Sequence, residues 1–107
     1  MKVIIKGDSM WPTYNDGESI DCTEYNGSEI LESAIVVFTH PLKSGVICVK
    51  RVARINDENI FVQGDNPDPT ASEDSHNFGW VKKASIIAIK HDERVDPEGL
   101  EPTTARL

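Results

Sequence analysis

The chain has 107 residues, a length typical of one domain that can bury a hydrophobic core. It carries 18 Asp and Glu against 11 Lys and Arg, a formal net charge of −7 at pH 7. This balance argues against nucleic acid as a partner, because binding to phosphates needs clustered positive charge. No apolar run approaches the roughly 20 residues that span a bilayer, and residues 2–6 are too short for the apolar part of a secretory leader. We expect a cytoplasmic protein if the chain is complete, and otherwise an extracytoplasmic ectodomain with a membrane anchor ahead of Met1.

The apolar pattern predicts an all-β fold with little helix, either a mixed twisted sheet or a partly open barrel. Short runs rich in β-branched residues, separated by Gly, Asn, Asp and Pro, predict strands at 2–6, 18–22, 34–39, 46–55, 59–63 and 86–89. One helical turn is expected within residues 24–33, and a long polar loop at 64–79. We expect one domain over residues 1–90, followed by a disordered acidic tail at 91–107 that is almost free of apolar residues.

Ser9 is the first candidate for chemistry, in the segment GDSMWPT at residues 7–13. This segment follows the first predicted strand, where Gly7 lets the backbone approach a ligand closely. Pro12 stiffens the chain after the serine. A serine hydroxyl becomes a useful nucleophile only when a neighbouring base takes its proton. Ser9 therefore needs a base from elsewhere in the fold.

Lys50 is the candidate base, in the predicted strand VICVKRVARI at 46–55. Strand alternation places Cys48, Lys50 and Val52 on one face. If this face is buried, desolvation disfavours the ammonium and lowers the pKa of Lys50, as a general base requires. The alternative is a lysine whose stem covers apolar surface while its amine reaches water. If the face with Lys50 is buried, we expect the Ser9 hydroxyl to lie within hydrogen-bond reach of the Lys50 amine.

Other polar residues give weaker signals. The loop at 64–79 holds hydroxyls and carboxylates, in GDN at 64–66 and SEDS at 72–75, that could orient a buried amine. Cys22 and Cys48 do not form a C-x-x-C pair, and we interpret them as half-buried thiols; a disulfide between them would need an oxidising compartment. The three histidines lack the spacing of metal ligands, so we expect neither a metal nor another cofactor.

Taken in order, these segments resemble the signal peptidase I family of serine peptidases and its clan, which includes the self-cleaving SOS and phage repressors. GDSMWPT at 7–13 is similar to the family's nucleophile segment, and IVVF at 35–38 to the strand before its lysine. KRV at 50–52, GDN at 64–66, SEDS at 72–75 and FG at 78–79 match later motifs. A core of this size also resembles the small soluble peptidases that mature nickel-type superoxide dismutase.

The resemblance implies roles for individual residues. Ser9 would attack the scissile carbonyl and its backbone N–H would stabilise the oxyanion, while Lys50 would move the proton. Ser72 would hydrogen-bond the Lys50 amine and orient it. Asp74 would be structural near the site, as would Gly7, which stands where some members carry a hydroxyl. His76 replaces an arginine of the family, which leaves the ion pair of that arginine with Asp74 in question.

The implied function is a serine endopeptidase that removes an N-terminal leader or signal peptide from a precursor bound as an extended strand. Small residues, typically alanine, would precede the cut, with Met10 and Ile35 as expected pocket walls. The alternative is a repressor-like regulatory module or a peptide-binding module without turnover. The repressor needs a DNA-binding segment and a cleavable Ala-Gly or Cys-Gly bond ahead of Ser9, and the few residues there contain neither.

Overall fold

The computed structural model describes residues 1–91, so the tail predicted at 91–107 lies outside the described residues except for His91. Within this range the chain forms eight strands: β1 Lys2–Ile4, β2 Ser19–Asp21, β3 Thr23–Glu24, β4 Ile35–Thr39, β5 Ile47–Asn56, β6 Asn59–Gln63, β7 Val81–Lys82 and β8 Ile86–Lys90. The short helix α1 spans Ser75–Phe78, and single 3₁₀ turns lie at Pro69–Ala71 and Lys83–Ser85.

The strands form two antiparallel sheets. β1 and β2 make a two-stranded sheet, and the others form a six-stranded sheet in the order β3-β8-β4-β5-β6-β7. The all-β prediction is confirmed, and the sheets are not closed into a barrel. The sheet is antiparallel rather than mixed, since each of its strand pairs within the described residues is antiparallel.

β4 lies at the centre because both of its faces are buried. Ile35 and Val37 pack in a cluster with Met10, while Val36 and Phe38 pack in a second cluster on the opposite face. An uninterrupted apolar run is the pattern of such a strand. β4 therefore joins the two parts of the core directly beside β5, which carries Lys50.

Two local predictions differ from the structure. Residues 24–33 contain no helical turn, since Glu24 ends β3 and the Ser28 N–H donates to Asn26 Oδ1 in a local turn. The polar loop at 64–79 contains α1, which begins after Asp74 with a capping box between the side chains and backbone of Asp74 and Asn77. In both segments, hydrogen bonds between side chains and nearby backbone groups accompany the local structure.

The two cysteines are free thiols. Cys22 packs in the cluster with Met10, and Cys48 packs against the cluster with Phe38 on the other face of the sheet. Burial raises the pKa of both thiols. Among residues 1–91, no helix has the length and apolar character needed to cross a bilayer.

Candidate active site

The structure brings the two predicted chemical residues together. Lys50 Nζ donates a hydrogen bond to Ser9 Oγ at 2.9 Å, although 41 residues separate them in the chain. Ser9 lies in the turn after β1, and Lys50 lies in the middle of β5. The distance is short enough for direct proton transfer between hydroxyl and amine.

Burial of Lys50 follows from its position on β5. Lys50 is only 7% exposed and shares its face with Val52, so its side chain does not extend into water. Desolvation is the largest influence on the amine and lowers the pKa of Lys50, while the nearby Cys48, Asp74 and Glu73 act in the opposite direction. The site therefore favours the neutral amine more than water does.

The turn that carries Ser9 is held by the residues after β6. The Asn66 N–H donates to the Ser9 carbonyl at 3.0 Å, and Asn66 Nδ2 donates to the Asp8 carbonyl at 2.8 Å. Thr13 Oγ1 donates to Asp65 Oδ2 at 2.6 Å, which fastens the far end of the turn. These bonds fix the serine backbone on both sides.

Arg51, next to Lys50, completes this support. Its guanidinium donates to both carboxylate oxygens of Asp65, at 2.8 and 2.7 Å, and also to the Ser33 carbonyl at 2.8 Å. A bidentate pair of this kind fixes orientation as well as distance. Because alternation turns Arg51 away from Lys50, one strand supplies the candidate base on one face and the loop anchor on the other. The sequence analysis matched Arg51 and Asp65 to motifs but gave neither a role.

Gly64 permits the closest backbone approach in the site. A Cβ at this position would collide with Ser72 Oγ and would lie 2.6 Å from the Ser9 carbonyl oxygen. Both contacts are far inside van der Waals distance, so a larger residue must displace the serine turn or Ser72. The match of GDN to a family motif marked Gly64, but only the structure shows the contact that requires glycine.

Ser72 lies in the predicted region without making the predicted bond. Ser72 Oγ is buried and has no hydrogen-bond partner among the described residues, and the hydrogen bond of the Lys50 amine goes to Ser9 instead. A role for Ser72 in orienting Lys50 stays a prediction.

Asp74, predicted to be structural, caps α1 and accepts a hydrogen bond from the Gly64 N–H at 3.2 Å. His76 Nδ1 lies 3.0 Å from Asp74 Oδ1, so this histidine keeps a contact with the carboxylate.

Backbone donors for an oxyanion are limited. The Ser9 N–H donates to no acceptor within residues 1–91 and remains open to a ligand. Gly7, which has a positive φ of 84°, donates its N–H to Asp16 Oδ1 at 2.7 Å and is therefore occupied. Within residues 1–91 the Ser9 N–H is therefore a backbone donor at the nucleophile that is open to a ligand.

A cavity of about 420 Å³ opens beside the Ser9–Lys50 pair. Residues 3–10 form one wall and residues 46–50 another, with His40, Ala71 and Glu73 completing the lining. Met10 lines this cavity, although its side chain is fully buried. Ile35 does not line it: its side chain lies in the core, because β4 is covered on both faces. The structure therefore places Ile35 away from this cavity.

Two strand edges border the cavity. In the described part of the chain β1 pairs only with β2, and β5 pairs with β6 only from Arg51 onward. The first residues of β5 therefore have β4 on one side and the cavity on the other. Residues 1–91 contain no group of three or more His, Cys, Asp or Glu that could hold a metal ion.

No protein-family model matches the chain, and a comparison with curated proteins finds no match.

The first prediction concerns Gly64→Ala. We expect the added methyl group to lower the free energy of unfolding by about 1–3 kcal/mol, the range for overpacking. We also expect shifted amide resonances throughout residues 7–13, because the methyl group meets the Ser9 carbonyl. Denaturant unfolding and a two-dimensional NMR spectrum measure the two effects.

Gly27→Ala is the matched control, since Gly27 has a positive φ of 92° but open space around its Cβ position. It should lower stability through backbone strain alone and leave the resonances of residues 7–13 in place. Unchanged resonances there in Gly64→Ala would show that the serine turn does not depend on this contact.

Proposed function

We propose that this chain is a serine endopeptidase that uses Ser9 as nucleophile and Lys50 as general base to remove an N-terminal leader or signal peptide from a precursor. The observation that carries the proposal is the 2.9 Å contact between Lys50 Nζ and Ser9 Oγ, made by a lysine that is only 7% exposed. A structural lysine gains little from such burial, whereas a base that must lose its proton gains directly.

The chemistry follows from the two side chains and one amide. Neutral Lys50 takes the hydroxyl proton as Ser9 Oγ bonds to the scissile carbonyl carbon, and the free Ser9 N–H stabilises the oxyanion. Lys50 then gives this proton to the leaving amine as the C–N bond breaks, which leaves an acyl ester on Ser9. Water, deprotonated by Lys50, hydrolyses the ester and restores the serine.

The cavity suits a peptide bound as an added strand. The Ile5 N–H donates to the Glu18 carbonyl, and the Ile5 carbonyl accepts from the Gly17 N–H, so both groups face the β2 side. Because backbone groups alternate in direction along a strand, the N–H and C=O groups of Ile4 and Lys6 face the cavity. Across the cavity, the start of β5 offers a second unpaired edge. A chain between these edges would gain main-chain hydrogen bonds on both sides, with side-chain pockets giving selectivity.

The same cavity would serve a peptide-binding module without turnover. What favours an enzyme is that both members of the pair are present, in contact, with the amine shielded from water. A module that only holds peptides has no need for a desolvated lysine beside a serine.

The second prediction tests the pair. Ser9→Ala and Lys50→Ala should each lower kcat by at least about 10³-fold on a peptide with alanine before the bond, and the double variant should be little worse, because the two residues act as one unit. Wild-type activity should rise with pH through the pKa of Lys50, since only the neutral amine accepts a proton. Mass spectrometry of the products locates the cut.

Lys82→Ala is the control, an exposed lysine on β7 away from the cavity, and should leave turnover unchanged. Near-normal turnover by Lys50→Ala, or a rate that is flat from acid to alkaline pH, would show that another group is the base.

The third prediction concerns the residue before the cut. Replacing alanine there by phenylalanine should lower kcat/KM by at least about 100-fold, because the resemblance to the signal peptidase family implies a preference for small residues at this position. The same replacement on the leaving side is the control. A preference for basic or aromatic residues before the cut would refute leader removal while leaving the Ser9–Lys50 chemistry intact.

A further inference from the structure

Glu73 and His40 join the loop that carries Ser72 to the end of β4. His40 Nε2 lies 2.9 Å from Glu73 Oε1, and the imidazole is only 3% exposed. Both residues line the cavity beside Lys50. A buried donor bonded to a carboxylate is a strong and directional contact.

The surroundings of His40 fix the direction of its proton. The Leu42 N–H donates to His40 Nδ1 at 3.0 Å, so this nitrogen carries a lone pair and the neutral ring holds its hydrogen on Nε2. The ring also packs against Phe78, with centroids 4.8 Å apart. His40 is thus held as a donor directed at Glu73.

A second anchor follows immediately in the chain. Asp74 Oδ2 accepts from the Gly64 N–H, and Asp74 caps α1. Ser72 precedes these two anchored carboxylates in an extended conformation, with φ −142° and ψ 136°. Its buried hydroxyl, which makes no hydrogen bond within the described residues, is therefore positioned by the bonds of its neighbours.

We propose that Glu73, held by His40, is a positioning residue for the Ser9–Lys50 reaction, because the His40–Glu73 hydrogen bond fixes the Ser72 segment against the dyad. This inference rests on the proposed function. Lys43 also contacts Glu73, at 3.2 Å, but its side chain is 58% exposed, and exposed ion pairs contribute little. The contact that matters is the one with the buried imidazole.

The experiment compares three variants in the full chain. Glu73→Ala removes the acceptor, Glu73→Gln keeps an oxygen acceptor for His40 without the charge, and Lys43→Met removes only the exposed ion pair. Because the side chain of Glu73 is 49% exposed, these changes spare the core. Steady-state kinetics on the alanine peptide give kcat and KM. Hydrogen exchange at the Ala71 and Asp74 amides, which flank Ser72, reports on the segment without any substrate.

In Glu73→Ala we expect kcat to fall by about tenfold or more with KM within about twofold, as for a misplaced catalytic group. Exchange at the two amides should rise by about tenfold, the value of about one hydrogen bond. Glu73→Gln and Lys43→Met should stay within about twofold of the wild type on each measure, since hydrogen-bond geometry decides the effect.

Each other outcome overturns the inference. Unchanged kcat and exchange in Glu73→Ala would show that the segment is held without Glu73. Equal losses in Glu73→Gln and Glu73→Ala would assign the effect to charge, and a change in KM alone would make Glu73 a substrate contact. If the wild type shows no Ser9-dependent cleavage, the proposed function fails, and the exchange rates alone then decide whether Glu73 fixes this segment.

Discussion

The fold depends on a lysine amine that is held out of water against a serine hydroxyl. Removing an ammonium from water is costly, and among residues 1–91 no carboxylate is in direct contact with Lys50 to offset that cost. The rest of the structure enforces this burial through an apolar face on β5, the strand β4 alongside the lysine, and a turn that brings Ser9 to the amine. The arrangement makes sense if the neutral amine is the working form.

Three parts of the chain that are distant in sequence meet at this point. The serine turn contributes the hydroxyl, β5 the amine, and residues 64–66 after β6 the hydrogen bonds that hold the turn. Arg51 connects the last two through Asp65. Because Lys50 and Arg51 are adjacent on an alternating strand, a single element supplies the candidate base on one face and the support of the nucleophile on the other. A register shift of one residue in β5 would exchange these roles.

Sequence patterns predicted most strands because their apolar alternation is local. They predicted the nearness of Ser9 and Lys50 through the order of motifs, since nothing local to either residue indicates the other. The core position of Ile35 was not evident, because an uninterrupted apolar run does not tell which face meets a cavity. The helix α1 was missed because it is one turn long and depends on the cap between Asp74 and Asn77. The contacts of Gly64 and Glu73 depend on how loops pack, which single-sequence patterns do not encode.

The most direct measurement is an NMR titration of the Lys50 side chain in the wild-type protein, with the resonance assigned through its loss in Lys50→Ala. The account predicts a midpoint below the ordinary lysine value of about 10.4, because burial disfavours the ammonium. It also predicts that the activity of the wild type rises over the same pH range. A midpoint at or above the ordinary value would contradict the account, because an amine that keeps its proton in this site cannot serve as the base for Ser9.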